Sequence, residues 1–161
     1  MIHLFSHKND IDRVYEKYSD SLYRLALARL LNAFDAEDAV HDVFTSYMSK
    51  TPDFNDELHE KAWFIRATIN KCNDALRKKK IRTYVPLDEA LGLKTSDDKS
   101  FLEVAQLLQK LSDEYRETVI LHYLEGYTLE ETAEILKISL SAAKMRILRA
   151  KEILRKDENN V

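Results

Sequence analysis

Trp63, Arg66, Asn70, Asn73 and Arg77 recur at three- and four-residue intervals within AWFIRATINKCNDALRKKK, Ala62 to Lys80. Wound at 3.6 residues per turn, they make one stripe, roughly 100° round the axis from an apolar stripe of Ile65, Ile69, Cys72 and Leu76. An indole stacks on an unpaired base, amides meet base edges and guanidiniums hold phosphates, so the combination suits single-stranded nucleic acid. A half-buried Trp63 beside solvated amides is the plainer alternative, and the stripe alone does not separate the two. A second helix, beginning at Leu140, spaces Leu140, Ala143, Ile147, Ala150 and Leu154 as a buried face and turns Ser141, Met145, Leu148, Arg149 and Glu152 outward, with Lys144 at the edge. Arg149 suits a guanine edge or a phosphate, Ser141 a phosphate near the helix N-terminus, and Met145 and Leu148 thymine methyls. Packing of Met145 and Leu148 against a neighbouring helix is the alternative. The third set is acidic: DAEDAVHDVF, Asp35 to Phe44, brings Asp38, His41 and Asp42 onto neighbouring turns. Asp-x-x-His begins the ligand pattern of a di-iron bundle, which needs a second such pair and bridging carboxylates on facing helices. The sequence offers no such second pair, so no metal or cofactor is expected, and the acidic set reads as a surface for a basic protein partner or as solvated charge.

The elements that must position these sets are all helical. Gly and Pro number two each in 161 residues, a scarcity that points to an all-α protein. A helix is predicted from Asp10 to about Leu31 through Val14, Tyr18, Leu22 and Leu25. A second is capped by Asp35, with Asp38 three residues on, and buries Val40, Val43, Phe44 and Tyr47. Pro52 and the polar run to Glu60 form a loop, and the next helix begins near Ala62. Apolar periodicity fades from Ile81 to Ser100, which reads as an interdomain linker holding at most a short helical turn at Leu87 to Leu91. Beyond it Phe101 to Leu111 is helical, Ser112 caps a helix ending at Gly126, and Thr128 with Glu131 forms a capping box for a helix whose Leu129, Ala133 and Leu136 face inward. Lys137, Ile138 and Ser139 turn the chain into the last helix. A short helix, a tight turn and a long basic helix make a helix-turn-helix pattern.

The net charge of −3 conceals an uneven distribution: residues 61–82 carry 8 basic and 1 acidic side chain and residues 136–161 carry 7 and 3, whereas the remainder is acidic. Two basic patches on an acidic body are what steers a polyanion, and they coincide with the two helices above. The N-terminus lacks the apolar core of a signal peptide and no apolar run is long enough to span a bilayer, so a cytosolic protein without membrane insertion is expected. The lone Cys72 lies on the apolar stripe and is expected to be a small core residue.

In order and spacing, DIDRVYEKYSDSLYRLALARLL, DAEDAVHDVFTSYM, KAWFIRATINKCNDALRKKK and LSDEYRETVILHYLEGYTLEETAEILKISLSAAKMRILRAKEIL resemble the bacterial sigma-70 family, and most closely its small extracytoplasmic-function group. The resemblance runs from about Asp10 to Lys156. It implies two helical domains, residues 1–81 and 101–161, joined by a linker at 82–100, and a non-catalytic subunit of RNA polymerase. By that resemblance Asp38, His41, Asp42 and Phe44 dock on the clamp helices of the largest polymerase subunit, and the flap of the second-largest subunit is a further contact. Trp63, Arg66, Asn70, Asn73 and Arg77 face the melted minus-ten element, with the loop Thr51 to His59 shaping a pocket for a flipped base. Ser141, Lys144, Met145, Leu148 and Arg149 face the minus-thirty-five duplex, and Arg146 lies near its backbone. An anti-sigma partner is implied in the same way. His41 stands where glutamine is common in the family, Tyr47-Met48 where an aliphatic-tryptophan pair is common, and Ser141, Ala143 and Met145 where glycine, valine and serine often stand. The rival reading is a stand-alone helix-turn-helix regulator binding duplex DNA, which needs neither the acidic segment nor the Trp-Arg-Asn stripe.

Overall fold

The computed structural model describes residues 2–79 and 96–158, and divides the chain into two compact units, Met1–Gly92 and Leu93–Val161. Every described element is helical: α1 (Ile2–Leu30), α2 (Ala33–Lys50) and α3 (Glu57–Lys79) in the first unit, α4 (Ser96–Leu108), α5 (Asp113–Val119), α6 (Leu129–Leu136) and α7 (Leu140–Glu158) in the second. No helix among the described residues is long and apolar enough to cross a membrane. The turn expected at Leu87 to Leu91 and most of the expected linker lie outside the described residues.

In the first unit three helices bury one another's apolar stripes, with the Phe64 ring at the centre. Tyr18 of α1 stacks on it at 4.7 Å, and Tyr47 and Phe44 of α2 lie tilted against it at 5.1 and 5.5 Å. Such offset and tilted pairs add to area burial, and truncating a fully buried Phe costs about 3–5 kcal/mol. Val14, Leu22, Leu25, Val43, Ile65 and Cys72 fill the same core, while Ile69 and Leu76 are only half-buried. Leu31, with φ 51°, ends α1, and Asn32, not Asp35, caps α2: its side chain accepts from the Asp35 backbone N–H at 3.0 Å. Asp35 therefore sits in the first turn, where its charge complements the helix dipole. α3 begins five residues before the expected Ala62, because Asp56 accepts the His59 N–H at 2.7 Å and starts the first turn itself.

The second unit is set by local signals. Ser112 accepts the Tyr115 N–H, and Thr128 and Glu131 close a reciprocal capping box. Gly126 takes φ +79°, a conformation in which a side chain would be strained, and Lys137 at φ 56° makes the tight turn before α7. Ser139 caps α7 by accepting the Ala142 N–H at 3.1 Å. α4 begins at Ser96 and ends at Leu108, earlier at both ends than the expected helix, so residues 96–100 are helical. The helix capped by Ser112 does not run α-helical to Glu125: Ile120–Leu124 is a π-helical turn, and Glu125 N–H donates to the Ile120 carbonyl at 2.9 Å. In α6 the buried residues are Thr132, Ala133 and Ile135, with Leu129 and Leu136 half-buried. Arg116 is buried where α4 ends, its guanidinium donating to the Leu108 and Leu111 carbonyls at 3.1 and 2.9 Å and pairing with Asp113 at 3.2 Å. It satisfies carbonyls that a helix terminus leaves without intrahelical partners.

Candidate nucleic-acid interfaces

The stripe on α3 is anchored at its N-terminal end by a buried carboxylate that sequence reasoning left in a polar loop. Glu60, 8% exposed, receives both arms of the Arg13 guanidinium, at 3.1 and 2.8 Å, and the Tyr18 hydroxyl at 2.7 Å. The Arg13 hydrogen bonds hold the Glu60 carboxyl below the usual carboxylate range, against the upward push of burial. Burial and the Glu60 hydrogen bond push the Tyr18 hydroxyl up, and burial with a hydrogen bond to Asp10 does the same for Tyr47. The start of α3 is thus fixed to α1 one turn before Trp63.

Trp63 is half-buried, edge-on to Phe64 at 5.0 Å and to Tyr47 at 5.9 Å, with Phe54 of the preceding loop at 6.2 Å. One margin of the indole therefore belongs to the core while the rest stays accessible, so the two readings of Trp63 in the sequence are compatible. The loop is held against it. Phe54 meets His59 edge-on at 5.3 Å, and the Asn55 N–H donates to His59 Nδ1 at 3.1 Å. Residues 51–56 are the non-helical part of the expected pocket loop, and beside their first half lies a cavity of about 420 Å³ lined by Asp10, Ile11, Tyr47, Met48, Thr51, Pro52 and Asp53. Tyr47 touches both this cavity and Trp63.

Further along α3, Arg66 is half-buried and Asn70, Asn73 and Arg77 are exposed on one face. The stripe did not reveal two intramolecular contacts on this face: Arg77 pairs with Asp74, and Asn73 Oδ1 accepts from Arg29 at 2.6 Å, while Arg66 too is engaged within the protein. On α2, Asp38, His41 and Asp42 are exposed between two grooves, one against Tyr15, Asp20 and Tyr23 of α1 and the other against Lys71, Asp74 and Lys78 of α3. Phe44 does not join them. It is 5% exposed, under Tyr15 at 5.1 Å and against Phe64, because its position faces the three-helix core. The exposed aromatic of this helix is instead Phe34 in its first turn, with Met48 at the other end.

In the second unit α7 turns Ser141, Lys144, Met145, Leu148 and Arg149 outward. Met145 and Leu148 are half or more exposed, which removes the alternative that both are buried against a neighbouring helix within this unit. Arg149 pairs with Glu152 at 3.4 Å, an exposed i, i+3 contact that DNA can displace at little cost. Arg146 departs from expectation: its side chain is largely covered and directed to Glu114 of α5 at 3.8 Å, so it braces the helix pair and is not held out toward a phosphate. The π-helical turn exposes Tyr123, with Lys151 of α7 lying 5.5 Å from its ring centroid.

Comparison with known proteins agrees with this division. Residues 14–82 match the family Sigma-70 region 2, and residues 101–154 match Sigma-70, region 4. The chain is 30% identical over 160 residues to the ECF RNA polymerase sigma factor SigW of Bacillus subtilis, covering 89% of this chain and 86% of that one. It is 26% identical to the ECF RNA polymerase sigma factor SigM of Mycobacterium tuberculosis, covering 92% of this chain and 77% of that protein. Among solved structures it is similar in fold to CnrH in complex with the cytosolic domain of CnrY, with TM-score 0.74, 23% identity and 95% and 90% of the two chains covered. The sigma factor RpoE of Bartonella quintana, in complex with the anti-sigma factor NepR, gives TM-score 0.68 at 21% identity, with 91% and 95% covered.

Proposed function

Because the chain belongs to the sigma-70 family, in its extracytoplasmic-function group, we propose that its exposed surfaces are the separate contacts of one promoter-specificity subunit. The protein is an RNA polymerase sigma factor directing promoter-specific transcription initiation. In the finer reading, residues 1–81 bind core polymerase and open the minus-ten element, and residues 101–161 read the minus-thirty-five duplex across a linker at 82–100. Asp38, His41 and Asp42 meet the clamp helices of the largest subunit. Trp63 stacks on a base of the melted strand, Arg66 and Arg77 hold its backbone, and Asn70 and Asn73 meet base edges. Opening a base step costs a few kcal/mol, which stacking and hydrogen bonding to the displaced strand must offset. The cavity beside residues 51–53 is where an extruded base would lodge.

On the duplex side Arg149 reads a base edge or phosphate, Met145 and Leu148 lie on thymine methyls, and Ser141 and Lys144 hold phosphates. The subunit carries no reaction of its own and works in the bacterial cytoplasm, where polymerase is. Its second unit contacts the polymerase flap. An inhibitory protein is a further proposed partner, since RpoE of Bartonella quintana was captured with the anti-sigma factor NepR.

The observation that carries the reading is the joining, in one chain, of a match to Sigma-70 region 2 bearing the Trp63 stripe with a match to region 4 whose α7 exposes Met145, Leu148 and Arg149. A stand-alone duplex regulator has no use for the first of these and is not favoured. Binding to purified core polymerase tests the docking surface: Asp42→Arg, at an exposed position, should weaken binding at least tenfold with the helical content unchanged. Unaltered affinity would remove that face of α2 from the interface.

A further inference from the structure

Arg29 bears on how the melted strand is read, and the inference rests on Asn73 facing that strand. Arg29 belongs to the last turn of α1 and is 3% exposed, yet its Nη2 reaches α3 and donates to Asn73 Oδ1 at 2.6 Å. A guanidinium has five donors and no acceptor, so the atom an amide turns toward it must be the oxygen. The asparagine's NH2 is then the group left for the surface, and Asn73 is an exposed residue. Asn70, one turn earlier and also exposed, shows no such tie among the described residues. An untied amide can rotate to offer either its oxygen or its NH2 to whichever base arrives; a tied one cannot.

We propose that Arg29 is a positioning residue for minus-ten recognition: by holding Asn73 Oδ1 it presents that amide as a hydrogen-bond donor only. Asn73 then favours a base with an exocyclic keto oxygen, thymine or guanine, at one position of the melted strand. It disfavours the exocyclic amino groups of adenine and cytosine at the same place, because two donors face each other there.

The test is transcription by core polymerase with the full-length protein from a library in which each non-template minus-ten base is varied. The ratio of keto to amino bases at each position is read within one variant, so a general loss of activity does not enter it. The wild type should favour keto bases at one position by about fivefold, the effect of a single hydrogen bond. Asn73→Asp keeps an acceptor for Arg29 but has only oxygen to show outward, and should invert that preference at that position alone. Arg29→Met should flatten it to about one, and Arg29→Lys, which retains a donor, should preserve most of it.

Retention of the keto preference in Asn73→Asp would overturn the proposal, and that variant decides the matter even if Arg29→Met fails to fold. Inversion in Asn73→Asp with no change in a folded Arg29→Met would also overturn it, since the amide would then be oriented without Arg29. If Asn73→Ala leaves every position unchanged while the wild type transcribes normally, Asn73 does not read the strand, and the proposal fails with the sigma reading intact. Absence of transcription by the wild type would instead overturn both.

Discussion

Glu60→Gln tests whether a buried carboxylate sets the start of the DNA-facing helix. The charge accepts two hydrogen bonds from Arg13 and one from Tyr18, and glutamine offers one oxygen in place of two, with its NH2 turned on a donor. Hydrogen bonds to a charged group contribute about 1.5–3 kcal/mol each when buried, but the Arg13 side chain is 48% exposed and water replaces much of what it loses. About 1 kcal/mol for the Arg13 fork and about 1 kcal/mol for the disturbed Tyr18 hydroxyl give a loss of about 2 kcal/mol. In a unit of this size that lowers Tm by about 10 °C.

Trp63 is the protein's one tryptophan, so its fluorescence follows unfolding of the first unit alone. The carboxyl is held below its ordinary pKa in the fold, so its contribution is complete above the unfolded value of about 4.3 and is lost as pH falls through the folded value. The gap between wild type and Glu60→Gln should therefore be constant from pH 7 to 5 and close below about pH 4. A loss under about 0.5 kcal/mol at pH 7, or a gap unchanged down to pH 3, would refute the reasoning, because neither fits a charge-assisted buried acceptor.

Three further substitutions separate the roles of the two units. Trp63→Ala should leave core binding within twofold of wild type while open-complex formation, followed by permanganate reactivity of unpaired thymines, falls at least tenfold; equal loss of both would make the residue structural. Arg149→Ala should weaken binding to minus-thirty-five duplex by about 1–3 kcal/mol with relaxed preference at one base pair, read by competition with single-base variants, whereas uniform weakening would mark a phosphate contact. Arg116→Met, which removes the guanidinium from the Leu108 and Leu111 carbonyls and leaves Leu108 only the Leu111 N–H, should destabilise the second unit by about 2 kcal/mol in urea unfolding followed by circular dichroism, and a change under about 0.5 kcal/mol would mean that water replaces it.

The helix boundaries legible in the sequence are those fixed within four residues. Ser112, the Thr128–Glu131 box, Gly126 and the turn at Lys137 announce themselves through local hydrogen bonding and backbone preference. Asn32 was missed for Asp35 because both are good caps, and the choice is made by Leu31, whose left-handed backbone ends α1 at a residue that gives no such signal. Phe64 lies beside the apolar stripe of Ile65 and Cys72, so periodicity understated its place at the centre of a three-helix core. Glu60 and Asn73 were beyond local reading because their partners, Arg13 and Arg29, lie 47 and 44 residues away. Arg146 does not belong to the outward set of α7 and is placed near DNA only by the family resemblance; the packing of α5 beside it supplies Glu114. The π-helical turn has no composition that distinguishes ILHYL from an α-helical continuation.

The central claim is tested most directly by transcribing the source genome's DNA with purified core RNA polymerase, with and without this protein, and mapping RNA 5′ ends. New starts that share two upstream elements at a fixed spacing are the predicted result. Demonstrated folding together with no new starts and no binding to core polymerase would contradict the account.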